Sequence, residues 1–184
     1  MKDKNKILLL GTLIFLSIFS VYFLKPQIKG DSFLYTSSID VLRTGVEPEG
    51  FIPMMIASTQ LGIRLIMFFD LFFNNISISW IFLDVILYIL MGLVFYSFLE
   101  RLVKNQEVAF LGTIFLVTNY AAVTFGLGYL MDMGGWAAYV AALYFAHKYI
   151  KAEESEKPDK FMYISALIIG IGGRSCSGKS TVVK

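Results

Sequence analysis

Residues 77–99 read SISWIFLDVILYILMGLVFYSFL, 23 residues with a single charge, Asp84. A helix rises 1.5 Å per residue, so such a run covers a hydrocarbon core about 30 Å thick. Two similar stretches flank it. Residues 7–24 are uncharged over 18 positions, and residues 108–131 over 24. A further apolar stretch, 133–150, begins immediately after Asp132. Residues 108–150 are too long for one helix, and the glycines at 126, 128, 134 and 135 mark the place for a reversal. The reading is an all-α membrane protein with four transmembrane helices, at about 7–24, 77–99, 108–125 and 133–150. The segment 161–173 is the candidate for a fifth span, cut short.

Composition points the same way. Of 184 residues, 57% are hydrophobic and only 16% charged, with a mean hydropathy of +0.67. Soluble domains carry about 25% charged residues. An ordinary soluble globule, a disordered tail and a disulfide scaffold are excluded by this balance; the one cysteine, Cys176, cannot form an internal bridge. The net charge of +2 has no message of its own. The opening Met-Lys-Asp-Lys-Asn-Lys followed by an apolar run has the look of a signal peptide. Its apolar run exceeds the 7–15 residues of a signal core, and no small-residue cleavage pattern follows. It reads as a retained anchor.

The segment 51–73 is ambiguous, because Gln60, Arg64 and Asp70 interrupt its apolar run. The distribution of cations arbitrates. If 51–73 does not cross, nine Lys and Arg residues share the cytoplasmic side with the N-terminus, against four on the outer side. If it crosses, only the three N-terminal lysines remain inside. Residues 25–76 are therefore expected to form an external loop, with an interfacial helix over 31–44 and a re-entrant or membrane-surface helix over 54–73. The N-terminus is expected in the cytoplasm.

This topology gathers carboxylates at the outer face. Asp31 lies just past the first span, Glu47 and Glu49 follow in the same loop, and Asp132 lies in the reversal before the last span. An idle charge abutting an apolar span is expensive, so Asp31 and Asp132 read as functional, and Glu47 and Glu49 as solvated. Asp84, inside a span, is expected to face the bundle interior in a structural hydrogen-bonding role. The aromatic residues read as lipid-facing or interfacial, with Trp80 as an interface anchor. Asn75-Ile-Ser77 matches a glycosylation sequon. His147 and Lys148 read as the snorkelling end of the last span. No metal-ligand spacing, internal repeat or nucleic-acid footprint appears.

The residues after the first span, Asp31-Ser-Phe-Leu-Tyr35 followed by Ile39, Leu42, Gly45 and Pro48, carry a resemblance. They are similar to the Asp-x3-Tyr…Leu-x2-Gly…Pro pattern in the first external loop of GT-C membrane glycosyltransferases. The order that follows is also similar: a surface helix, a span, a short basic loop, then two linked spans with an acid between them, Gly-Tyr129-Leu-Met-Asp132. Members of that superfamily usually have eight or more spans, and this chain has four or five. The resemblance implies the N-terminal part of an enzyme that passes a sugar from a polyprenyl-phosphate donor in the bilayer to an acceptor on the outer face. It implies Asp31 as general base or metal-linked carboxylate, Asp132 as a second site acid, and Tyr35, Glu47 and Glu49 as substrate-binding residues; the divalent metal enters only by this implication.

The C-terminus carries a different motif. Gly173-Arg-Ser-Cys-Ser-Gly178-Lys179-Ser180-Thr181, after the apolar run 167–171, fits Gly-x4-Gly-Lys-Ser, the Walker A pattern. Its chemistry needs that order: backbone N–H groups surround the phosphates, Lys179 neutralises them, and the Ser180 hydroxyl binds Mg²⁺. It resembles the start of a uridine-kinase-like P-loop kinase, whose cofactor would be Mg-ATP. Four residues follow Ser180, which is too few for the helix, the Walker B acid and the remaining strands. Three expectations follow: a glycosyltransferase part, inactive alone; a membrane-anchored P-loop kinase or ATPase truncated at its first motif; or a small non-enzymatic integral membrane protein.

Overall fold

The computed structural model describes residues 2–24, 31–46, 53–124, 126–127 and 132–153, all in helices and the turns between them. The elements in order are α1 (Lys2–Phe19) with a π-helical extension (Ser20–Leu24), α2 (Asp31–Thr44), α3 (Pro53–Phe73), α4 (Ile76–Val103), α5 (Gln106–Val117), α6 (Tyr120–Thr124) and α7 (Asp132–Glu153). No strand occurs among the described residues. Glu47, Glu49 and the whole of 154–184, including Gly173, Gly178, Lys179, Ser180 and Thr181, lie outside them.

Among the described residues two helical stretches are long and apolar enough to cross a membrane, Lys4–Phe23 and Ile76–Val103. That is fewer than the four expected. The expected span 108–125 is divided into α5 and α6 by a turn at Thr118–Asn119. Local polar bonds cause the break. The Thr118 hydroxyl donates to Ile114 O (2.7 Å), and Asn119 Oδ1 accepts from Ala121 N–H (2.9 Å), capping a new helix. The expected span 133–150 lies within α7, which begins at Asp132, so Gly134 and Gly135 are helical and not part of the reversal. The described part of the reversal is the turn at Gly126 and Leu127. Gly126 is required there, because a Cβ would strike Ala122 O and the Met133 methyl.

Short Asn-centred links hold the long helices antiparallel. Asn74 takes φ of 48° between α3 and α4, and Asn75 Oδ1 accepts from Ile78 N–H (3.1 Å) as the N-cap of α4. Asn tolerates this left-handed backbone better than most residues. The same device recurs at Lys104 (φ 54°) and Asn105, which caps α5 through Glu107 N–H and Val108 N–H.

α4 is the central element, packed by α1, α3, α5 and α7. One core joins Leu9 and Leu13 of α1 to Tyr88, Met91 and Tyr96 of α4, Ala109 and Val117 of α5, and Met133 and Val140 of α7. Gly92 lets α1 approach, since a Cβ there would lie 2.8 Å from Leu13 Cδ1. Close approach at small residues is how helices associate where apolar burial alone cannot drive them together. A second core joins Ile39 of α2 and Ile63 and Ile66 of α3 to Trp80 and Leu83 of α4. Trp80, Tyr88 and Tyr96 are therefore core residues, fully buried, and Trp80 is not the boundary anchor expected from its place in the sequence.

Ion pairs and ring contacts fix which helix ends share a face. Lys6 Nζ is 4.0 Å from Glu100 Oε2, so the start of α1 lies beside the end of α4. Arg101 and Lys148 both lie over the Tyr144 ring, which brings the end of α7 to the same place. At the other end, Arg43 of α2 meets Asp70 of α3 at 3.2 Å, one turn before α3 ends.

Candidate functional site

α2 reaches the first half of α4 through an aromatic contact. The Tyr35 and Trp80 rings meet edge to face, with centroids 5.9 Å apart and an interplanar angle of 69°. Trp80 and Asp84 are four residues apart on α4, and both are buried. Residues at that spacing lie one above the other on a helix face. Tyr35 thus packs one turn from Asp84.

Asp84 is 3% exposed, and among the described residues its Oδ2 has no hydrogen-bond partner. The interior position expected for it is found; a hydrogen bond for this oxygen is not. Asp132 opens the helix that packs on this part of α4: a Cβ at Gly134 would lie 4.0 Å from Leu87 Cδ1, and Leu87 is one turn beyond Asp84. Asp132 itself is half-buried at the first residue of α7, where the helix N-terminus favours a carboxylate.

Asp31 opens α2, one turn before Tyr35. Its side chain is outside the described residues, as are Glu47 and Glu49. Of the residues expected to form the site, Tyr35 packs on Trp80, one turn from Asp84, and Asp132 opens the helix that packs on α4. Sequence reasoning did not place Asp84 near Tyr35. The available signal was the Trp80–Asp84 spacing, two polar-edged residues on one face of an otherwise apolar helix.

Two apolar spaces lie among the helices. A groove of about 760 Å³ is lined by Ser17, Ile18, Val21, Tyr22 and Phe23 at the end of α1 and by Val85, the neighbour of Asp84. Its floor includes most of the π-helical turn, where the backbone is widened. A smaller cavity of about 300 Å³ lies among Met91, Leu116, Ala122, Trp136 and Val140, with Asn119 as its amide. Among the described residues no group of three or more His, Cys, Asp or Glu is placed to hold a metal ion.

Asn75, the sequon residue, uses its side-chain oxygen to cap α4. His147 packs edge-on against Phe98, with ring centroids 5.7 Å apart.

No family model, no curated protein and no solved structure matches this chain.

Proposed function

We propose that this chain is part of a GT-C type membrane glycosyltransferase, which moves a sugar from a polyprenyl-phosphate donor to an acceptor hydroxyl on the outer face. The observation that carries the reading is that Tyr35 of the Asp31 helix packs on Trp80, one turn from the buried Asp84, on the helix against which α7 also packs. In this arrangement α1, α4, the α5–α6 pair and α7 cross the bilayer, with the N-terminus in the cytoplasm. The helix α3 folds back along α4 and is re-entrant.

The chemistry is the transfer of a glycosyl group. The acceptor oxygen attacks the anomeric carbon as the bond from that carbon to the phosphate oxygen breaks. The polyprenyl phosphate departs with the electron pair, and the hydroxyl proton passes to the Asp31 carboxylate. Asp132, half-buried at the start of α7, orients the acceptor or the sugar. The groove lined by Val85 is apolar and open, which suits the isoprenoid chain of such a donor.

Sugar transfer in membranes holding the complete protein and a polyprenyl-phosphate sugar tests the reading. Asp31→Asn keeps size and an acceptor oxygen but cannot take the proton, so turnover should fall about 10²–10⁴-fold. Near-normal transfer in this variant would remove the general base, and near-normal transfer in both Asp31→Asn and Asp132→Asn would remove the proposal.

A further inference from the structure

The smaller cavity, bordered by α4, the α5–α6 turn and α7, has a local origin. α5 stops at Val117 and the chain restarts as α6 at Tyr120. On that side only Leu116, Asn119 and two alanines, Ala121 and Ala122, border the space. Their methyl groups do not reach far enough to fill what the buried Met91 and Val140 leave open. The result is about 300 Å³, roughly twice an engineered apolar cavity of about 150 Å³ that stays dry and takes up benzene. Asn119 is its one amide, and the oxygen of that amide is taken by the Ala121 N–H (2.9 Å). A resident water needs about two to four polar partners, so this lining does not hold one.

Depth decides what fills it. Leu116 is ten residues along α5 from Gln106, about 15 Å, and Met91 is twelve residues from the end of α4 at Val103, about 18 Å. α4 and α5 are joined at that end, so the cavity lies about half-way through a hydrocarbon core about 30 Å thick. Tyr139, 66% exposed, and Asn119, also exposed, both border it, so its mouth is at the surface between α7 and the α5–α6 turn. A mouth at that depth meets lipid tails. We propose that the cavity is a binding site for one hydrocarbon chain of a membrane lipid, inserted between α7 and the α5–α6 turn. A further helix is far too wide for it, at about 10 Å across with side chains. The inference rests on α4 and α7 crossing the bilayer, and not on sugar transfer.

Trp136 borders the cavity and is one of two tryptophans, so it serves as the reporter in a full chain carrying Trp80→Phe. Vesicles of phosphatidylcholine brominated at the middle of its chains, compared with unbrominated vesicles, provide the test, because bromine quenches indole emission on contact. The emission of Trp136 should be strongly quenched. Ala122→Leu and Val140→Phe, made separately, fill the cavity with the protein's own side chain and should each lose most of that quenching without lowering the unfolding temperature. Leu111→Phe adds similar bulk on the exposed face of α5, away from the cavity, and should leave the quenching as it was. Unchanged quenching in whichever filling variant stays folded would overturn the site, since Trp136 would then meet lipid only at the outer surface. Equal loss in Leu111→Phe, or no quenching before any filling change, would overturn it as well. Release of the chain from the vesicles by alkaline washing would contradict membrane insertion, and the site with it.

Discussion

Arg43 Nη1 lies 3.2 Å from Asp70 Oδ2 across 27 residues of sequence, joining the last turn of α2 to the last turn of α3. Asp70 is 8% exposed, and among the described residues its other oxygen has no hydrogen-bond partner and Arg43 is its counter-charge. The pair has a topological consequence. It holds the ends of α2 and α3 at one face, and α4 begins at that face three residues after Phe73. The ends of α2 and α3 and the start of α4 therefore meet at one end of the bundle. One of the charges that made 51–73 ambiguous, Asp70, is in this way explained.

Removing one partner of a mostly buried pair leaves the other uncompensated. Arg43 is itself half exposed, which tempers the effect. Arg43→Ala should destabilise the fold by about 1–2 kcal/mol, the scale of a hydrogen bond to a charged group. Arg43→Ala with Asp70→Ala should cost less than the two single changes added together. Unfolding of the four proteins in detergent micelles reads the coupling; strict additivity would show that the contact is not energetically real.

Tyr88 Oη donates to Val117 O at 2.7 Å, both buried. That carbonyl is in the last turn of α5, where helical partners run out. Tyr88→Phe should therefore lower stability by about 1 kcal/mol. Tyr88→Leu should be worse, because the ring is lost as well. A Phe variant as stable as wild type would mean that the α5–α6 break holds without this bond.

Asp84 points to a conflict between stability and activity. A buried carboxylate oxygen without a partner is costly, and a leucine of similar volume removes that cost. Asp84→Leu should unfold at a higher temperature than wild type, while the complete protein loses sugar transfer. A lower unfolding temperature would make Asp84 a structural residue and detach it from the site.

Gly126 makes the turn that delivers Asp132. A Cβ there meets a backbone oxygen, Ala122 O, which has no flexible end to swing away. Gly126→Ala should cost about 1–3 kcal/mol, as overpacking does, and should impair transfer even though residue 126 touches no substrate. Gly92→Ala should be milder, because the atoms it meets are the tips of Leu13.

Much of this fold was legible in the sequence, for local reasons. The helix expected over 31–44 is α2, and that expected over 54–73 begins one residue earlier as α3. Long apolar runs gave α1 and α4. The division at Thr118–Asn119 was not legible, because hydropathy does not register a side chain that bonds its own backbone. Gly134 and Gly135 misled for the opposite reason: glycine signals a turn unless packing holds it in a helix, as α4 does here. The burial of Trp80, Tyr88 and Tyr96 depends on which face of α4 meets its neighbours, and composition cannot supply that. The Arg43–Asp70 pair is tertiary, so only the fold makes it.

The central claim is that Asp31, Asp84 and Asp132 serve one outer face, opposite the cations. Cysteine labelling by a membrane-impermeant maleimide tests it most directly, at Thr44 and Lys104, each replaced singly in a Cys176→Ser chain. Both positions are exposed. In intact cells Thr44→Cys should be labelled, and Lys104→Cys only after the membrane is opened. Labelling of Lys104→Cys from outside, or of both positions alike, would contradict the arrangement and separate the carboxylates from the face on which the proposed chemistry depends.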